Sequence, residues 1–142
     1  TRLLCFLPYA RYLGFFSGTS SKGQSLNFID PSTAIQQDLD LIIKPDEEME
    51  LEEFLKKLGA ELPVFDGGKY RLQVEKILDK KFYTPLESRT VSSSLSFALK
   101  RLEQAGIIRL ISRGDAKSSF NLTMGININQ VTQYSHIKRN NE

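Results

Sequence analysis

VSSSLSFALKRLEQAGIIRLISRGDAKSSFNLT, from Val91 to Thr123, carries the strongest local pattern in the chain. Leu95, Ala98, Leu99, Leu102 and Ala105 recur at intervals of three and four, the spacing that turns one face of an α-helix inward. A helix over 91–105 is predicted. Gly106 closes it, because glycine takes up the left-handed backbone of a helix terminus without a steric penalty. Ile107 to Arg113 then has the composition of a strand, Gly114-Asp115-Ala116-Lys117 that of a turn, and Ser118 to Met124 that of a returning strand. With the leucines inward, the opposite helix face presents Ser93, Ser94, Ser96, Phe97, Lys100 and Arg101, with Ser92 at its start. Short hydroxyls near a helix N-terminus approach phosphates and base edges closely, and the free N–H groups there assist. Lys100 and Arg101 add phosphate neutralisation. Arg113 and Lys117 flank the turn of the hairpin, within reach of an adjacent groove or backbone. These nine residues form the candidate DNA-binding set. The plainer alternative is an amphipathic helix beside a hairpin, with the serines acting as caps and turn formers.

The same segment resembles the winged-helix superfamily, as in the bacterial MarR-like regulators. There a Val-Ser-x-Ser lead-in opens a recognition helix, and a Leu-Glu-x-x-Gly-Leu-Ile exit feeds a β-hairpin wing. Leu102-Glu103-Gln104-Ala105-Gly106-Ile107-Ile108 matches that exit. The resemblance implies a mainly α protein with small β-hairpins (α+β), duplex DNA as partner, and transcription regulation or DNA presentation as its role. One departure stands out. A winged helix needs a short helix just before the recognition helix, and the candidate, Tyr83 to Arg89, contains Pro85 and offers barely two turns.

Upstream of this segment, Lys69 to Phe82 reads as a helix with Tyr70, Val74, Ile77 and Leu78 inward. Pro63 and Asp66-Gly67-Gly68 read as the preceding loop, with Asp66 as its cap. Asp46 to Leu58 reads as another helix, acidic in its first turns and basic in its last, in keeping with the helix dipole. Met49 or Leu51, then Phe54, Leu55 and Leu58, form its apolar face, and Gly59 stops it. Asp30-Pro31 opens a further helix, since Asp30 accepts a free backbone N–H and Pro31 loses no hydrogen bond at the first helical position. Its stripe is Ala34, Ile35, Asp38, Leu39 and Ile42. Residues 2–13 read as a helix containing Pro8, followed by strands at Leu13 to Ser17 and Ser25 to Ile29 around the linking segment Gly18 to Gly23.

Helix followed by hairpin thus occurs twice. Residues 1–45 read as the end of an upstream winged helix, 46–124 as a complete one, and 125–142 as a polar tail with a short helix near Gln130 to Tyr134. In the upstream unit Leu3 to Tyr12 is the recognition helix, Gly18 to Gly23 the wing tip, and Arg2, Arg11 and Lys22 the basic contacts. A helix and hairpin simply packed on the other domain is the competing reading, and the sequence leaves both open. Together with DPSTAI (30–35) and ELPVFDGGKYR (61–71), the paired half-motifs resemble the DpdG-type accessory proteins of bacterial DNA-modification and defence clusters. That resemblance implies a DNA-modification or defence context and assigns no site.

Composition fits these expectations. The chain has 142 residues, 40% hydrophobic and 25% charged, enough for a real core and unlike a disordered segment. The net charge of +2 hides an asymmetry: +1 over 1–45, −6 over 46–66 and +7 over 67–142. A basic C-terminal half suits a polyanion. No apolar run approaches the roughly 18 residues that a membrane span needs, and Leu3 to Leu7 is a poor signal sequence. The single cysteine, Cys5, rules out an internal disulfide and fits a reducing cytoplasm. The chain opens at Thr1, which reads as a fragment.

Nothing in the sequence points to catalysis, a cofactor or a metal. His136 is the only histidine and is expected to be solvated in the tail. Cys5 is expected to be a small buried side chain. Asp66-Gly67-Gly68-Lys69 lacks the length and order of a phosphate-binding P-loop. Asp38, Asp40, Asp46, Glu47 and Glu48 with Lys44 would need to converge from a sheet to make a nuclease centre, and the stretch reads as helix, loop, helix. The rival function is a protein adaptor working through the acidic helix 46–58 and Phe97, with a protein partner or a second copy as its target.

Overall fold

The computed structural model describes residues 2–21, 24–79, 81, 88–123 and 132–141. The chain is a mixed α+β protein. Helix α1 (Arg2–Tyr12) leads into a hairpin of β1 (Phe16–Ser21) and β2 (Gln24–Ile29), paired antiparallel from Phe16↔Ile29 to Ser21↔Gln24. The strands run through most of the segment 18–23 expected to link them.

Asp30 accepts a backbone N–H at the helix start as expected, although Pro31 rather than Asp30 occupies the cap position. Asp30 Oδ1 accepts the Ser32 backbone N–H at 3.2 Å and the Ser32 hydroxyl at 2.6 Å, and α2 (Ser32–Gln37) begins there. A break at Asp38 separates α2 from α3 (Leu39–Ile42), and Ala34, Ile35, Leu39 and Ile42 are buried.

The acidic run after Pro45 is not helical from Asp46. Asp46 has φ of 61°, a turn, and Glu48–Glu50 forms strand β3 with only its central Met49 buried. Helix α4 spans Leu51–Glu61 and buries Leu51, Phe54, Leu55 and Leu58 as expected. Gly59 does not stop it. A Cβ there would lie 3.0 Å from the Gly68 backbone nitrogen, so glycine is required by close approach of the next loop. The loop is tighter still at Gly68, where a Cβ would meet the Pro63 carbonyl oxygen at 2.5 Å. Gly68→Ala must shift backbone rather than a side chain, and a loss of roughly 3 kcal/mol in urea unfolding is expected. An unchanged midpoint would mean that Gly68 is not packed against the Pro63 carbonyl.

Helix α5 is short, Lys69–Glu75, and buries no residue. Tyr70, Val74, Ile77 and Leu78, expected inward, are exposed. Periodicity marked an apolar stripe correctly but not a surface for it to pack on. Most of the candidate helix 83–89 lies outside the described residues.

Strand β4 (Thr90–Val91) precedes α6 (Ser93–Gln104), and Gly106, with φ of 77°, ends that helix as expected. The hairpin expected after it does not form. Strand β5 (Ile108–Ile111) and strand β6 (Phe120–Leu122) belong to different sheets. The segment read as a polar tail supplies a partner to each: β7 (Thr132–Tyr134), where a short helix was expected, pairs with β6, and β8 (His136–Arg139) pairs with β5. One sheet has the order β3-β8-β5, all antiparallel; the other has β4-β6-β7, with β4 parallel to β6. In the first sheet the row Met49, Ile137, Leu110 points inward and the row Glu48, Lys138, Arg109 outward.

Buried residues from Ile35 to Ile137 make one core cluster, contributed by α2, α3, α4, α6 and both sheets. Ile35, Leu39, Ile42 and Ile43 therefore share a core with Met49, Leu110 and Ile137, across the expected boundary at 45/46.

Candidate nucleic-acid interface

The N-terminal end of α6 is built from side chains brought in from far along the chain. Asp66, 5% exposed, accepts the Ser92 N–H through Oδ2 at 2.6 Å. It was expected to cap α5 and instead serves the start of α6. The Ser96 hydroxyl donates to the Val91 carbonyl at 3.2 Å and accepts the Thr123 N–H at 3.1 Å. Thr123 returns its own hydroxyl to Val91 at 3.1 Å and lies 3.4 Å from the Ser93 hydroxyl. The residue that follows β6 is thus clamped over the first turn of α6.

This clamp sorts the serines. Ser96 is fully buried and faces no partner outside the chain, which corrects its place in the candidate set. Ser92 is half-buried, and its hydroxyl has no partner among the described residues. Ser94 lies on the wall of an apolar cavity shared with α1. Ser93 is exposed. Ser96→Ala is expected to cost about 1–2 kcal/mol, because the Thr123 N–H loses its acceptor, while any external contact of α6 stays unchanged. A loss of ligand binding at constant stability would restore Ser96 to the interface.

The cations divide in the same way. Lys100 turns back: its ammonium donates to Glu103 Oε2 at 2.7 Å and to the Tyr134 hydroxyl, 4.5 Å from the centre of that ring. Burial alone would lower the Lys100 pKa, but the bonds to Glu103 and Tyr134 and their attraction outweigh it and hold the group above its ordinary value. Arg101 is half exposed and ion-paired through one nitrogen to Asp30, which is 1% exposed. Arg113 pairs with Glu48 and keeps half its side chain in solvent. Lys117 is exposed, with no ion-pair partner among the described residues. What remains solvent-facing on α6 is a single stripe of Ser93, Phe97, Arg101 and Gln104, on a helix about 18 Å long.

The acids considered as a nuclease centre face cations or backbone. Asp40 bonds Arg139, Asp46 bonds Lys138, and Glu47 accepts the Lys44 N–H. His136 is half-buried in β8, its Nδ1 2.9 Å from the Ser135 hydroxyl, rather than solvated in a tail. The side chain of Cys5 lies outside the described residues. No helix among the described residues is long and apolar enough to cross a membrane.

The family model described as DpdG-like matches residues 1–116. The chain belongs to the DpdG-like family. No curated protein and no solved structure matches it. The DpdG-like match includes α1 to α6, β5, Arg101 and Arg113, and ends before Lys117 and strands β6 to β8. Gln104 and the Asp30–Arg101 pair were not foreseen from the sequence. Gln104 could have been found by continuing the stripe Ser93, Phe97, Arg101; no local signal joins Asp30 to Arg101.

Proposed function

We propose that this chain binds double-stranded DNA as an enlarged winged helix, with α6 as recognition helix and the segment between β5 and β8 as its wing. The observation that carries the reading is the sheet order. In a winged helix the strand after the recognition helix lies at one edge of a three-stranded antiparallel sheet, and the chain returns from the wing into its centre. Here α6 feeds β5, and β8 returns between β3 and β5. The series α2/α3, β3, α4, α6, β5, β8 then supplies the expected helices and strands in order. Two enlargements are local: residues 62–92, with α5, stand between α4 and α6, and β6 and β7 decorate the wing.

DNA would meet the stripe Ser93, Phe97, Arg101 and Gln104, flanked by Arg113 and Lys117 at the start of the wing. The DpdG-type resemblance supports a setting in DNA modification or defence, as a regulator or a subunit that presents DNA to a partner. Duplex titration across a salt series tests the reading, with binding that weakens steeply as salt rises. A flat dependence would favour the second reading, a protein adaptor. That reading draws on α5, whose Tyr70, Leu72 and Val74 are exposed, continuous with exposed Ile77 and Leu78. The acidic helix contributes less to it, since Glu52 and Glu53 each pair with a lysine one turn on at 2.9 Å.

A further inference from the structure

A cavity of about 390 Å³ lies between α1, the start of the first hairpin and the loop before α5. Its size falls in the range of small-molecule sites. Its walls are aromatic: Phe6, Tyr9, Phe15, Phe16 and Phe65 all line it. Phe6 meets Phe16 edge to face with ring centres 6.2 Å apart, and Phe15 lies 5.9 Å from Phe65. The acid on this wall is Asp66, 95% buried. Its Oδ2 is taken by the Ser92 N–H, while Oδ1 has no donor among the described hydrogen bonds and stays open to solvent. Arg71 also lines the cavity, but its Nε donates to Glu75 Oε1 at 2.6 Å, so that charge is balanced within α5.

An aromatic-walled cavity with one uncompensated carboxylate oxygen selects by charge as well as shape. Ring faces attract cations, and a carboxylate on an apolar wall, with one oxygen still reaching solvent, is stabilised by an opposite charge that also donates a hydrogen bond. A neutral apolar molecule fills the walls and displaces water from Oδ1 without replacing its hydrogen bonds; an anion is repelled by it. We propose that this cavity is a binding site for a small organic ammonium ion with an aromatic or alkyl body. The ammonium sits on Asp66 Oδ1 and the body lies among Phe6, Tyr9, Phe15 and Phe16. The site does not depend on the DNA reading.

Calorimetric titration of the whole chain with phenethylamine tests this, beside the isosteric phenethyl alcohol and the anion phenylacetate. The amine is expected to saturate with Kd below about 1 mM, the alcohol to bind about tenfold more weakly, and phenylacetate not to saturate. Asp66→Asn keeps an oxygen for the Ser92 N–H and removes the charge. It should weaken the amine by about tenfold and leave the alcohol unchanged. Val64→Trp, at a half-exposed position on the cavity wall, should fill the space and abolish amine binding without altering the unfolding midpoint. Equal affinity for amine and alcohol, undiminished amine binding by Asp66→Asn, or no saturation by the amine in the parent would each overturn the assignment.

Discussion

A chain ended after residue 131 is expected to lose its cooperative unfolding transition. The segment removed supplies β8, the strand between β3 and β5, so both edges of that sheet lose their ladder at once. Ile137 at its centre is fully buried between Met49 and Leu110. Arg139 donates to the Ile43 carbonyl at 2.9 Å, and Asn140 bonds Ile107 and Gly106 through its backbone and side chain. Strand β7 goes as well, and with it the ring under the Lys100 ammonium. A single truncation, Ile137→Ala, is expected to cost about 2–5 kcal/mol, a large share of the roughly 5–15 kcal/mol that holds a typical domain together. Circular dichroism and urea titration of the shortened chain read the outcome. A sharp transition at the parent midpoint would mean that residues 132–141 are a tail after all.

The strands of this segment are hidden in the sequence for a physical reason. The segment's composition is polar, and of its strand residues only Ile137 is a fully buried apolar side chain, so no hydrophobic period announces a strand. Short strands draw their stability from pairing, and the partners of β8 lie at Glu48–Glu50 and Ile108–Ile111, far away along the chain. The same holds for β3, where three residues inside an acidic run look like the start of a helix until Met49 is seen opposite Ile137. By contrast α6 was legible almost to the residue, because a leucine stripe and a closing glycine are local signals. The two strands after it were found, but their pairing was not, since adjacency in sequence favours a hairpin and here the returning chain takes the place of a partner. On the candidate interface, periodicity separated Leu95, Ala98, Leu99 and Leu102 from Phe97 and Arg101. It could not say that Ser96 would turn inward to hold Thr123, or that Lys100 would bend back to Tyr134. Those depend on residues that arrive from the second sheet.

Replacing Arg101 and Lys117 together by glutamine is expected to weaken duplex binding about a hundredfold, if α6 and its wing are the DNA surface. Each phosphate-bound cation contributes about 0.9 to the slope of log affinity against log salt. With Arg101, Arg113 and Lys117 as the contacts, the parent slope is expected near −2.7, and the double variant near −0.9. Lys100→Ala serves as the contrast. Its ammonium is committed to Glu103 and Tyr134, so it should lower the urea midpoint and leave the salt slope alone. Asp30→Asn probes the opposite direction. Asparagine can still accept from Ser32 at the start of α2, whereas the carboxylate that partly neutralises Arg101 is gone. Binding should therefore tighten severalfold at low salt, with the gain fading as salt screens the difference. A double variant that holds duplex as tightly as the parent, with the same slope, would remove α6 from the interface. The exposed α5 stripe would then become the surface to mutate, since apolar contact of that kind carries little salt dependence and disappears when Leu72 and Ile77 are made polar.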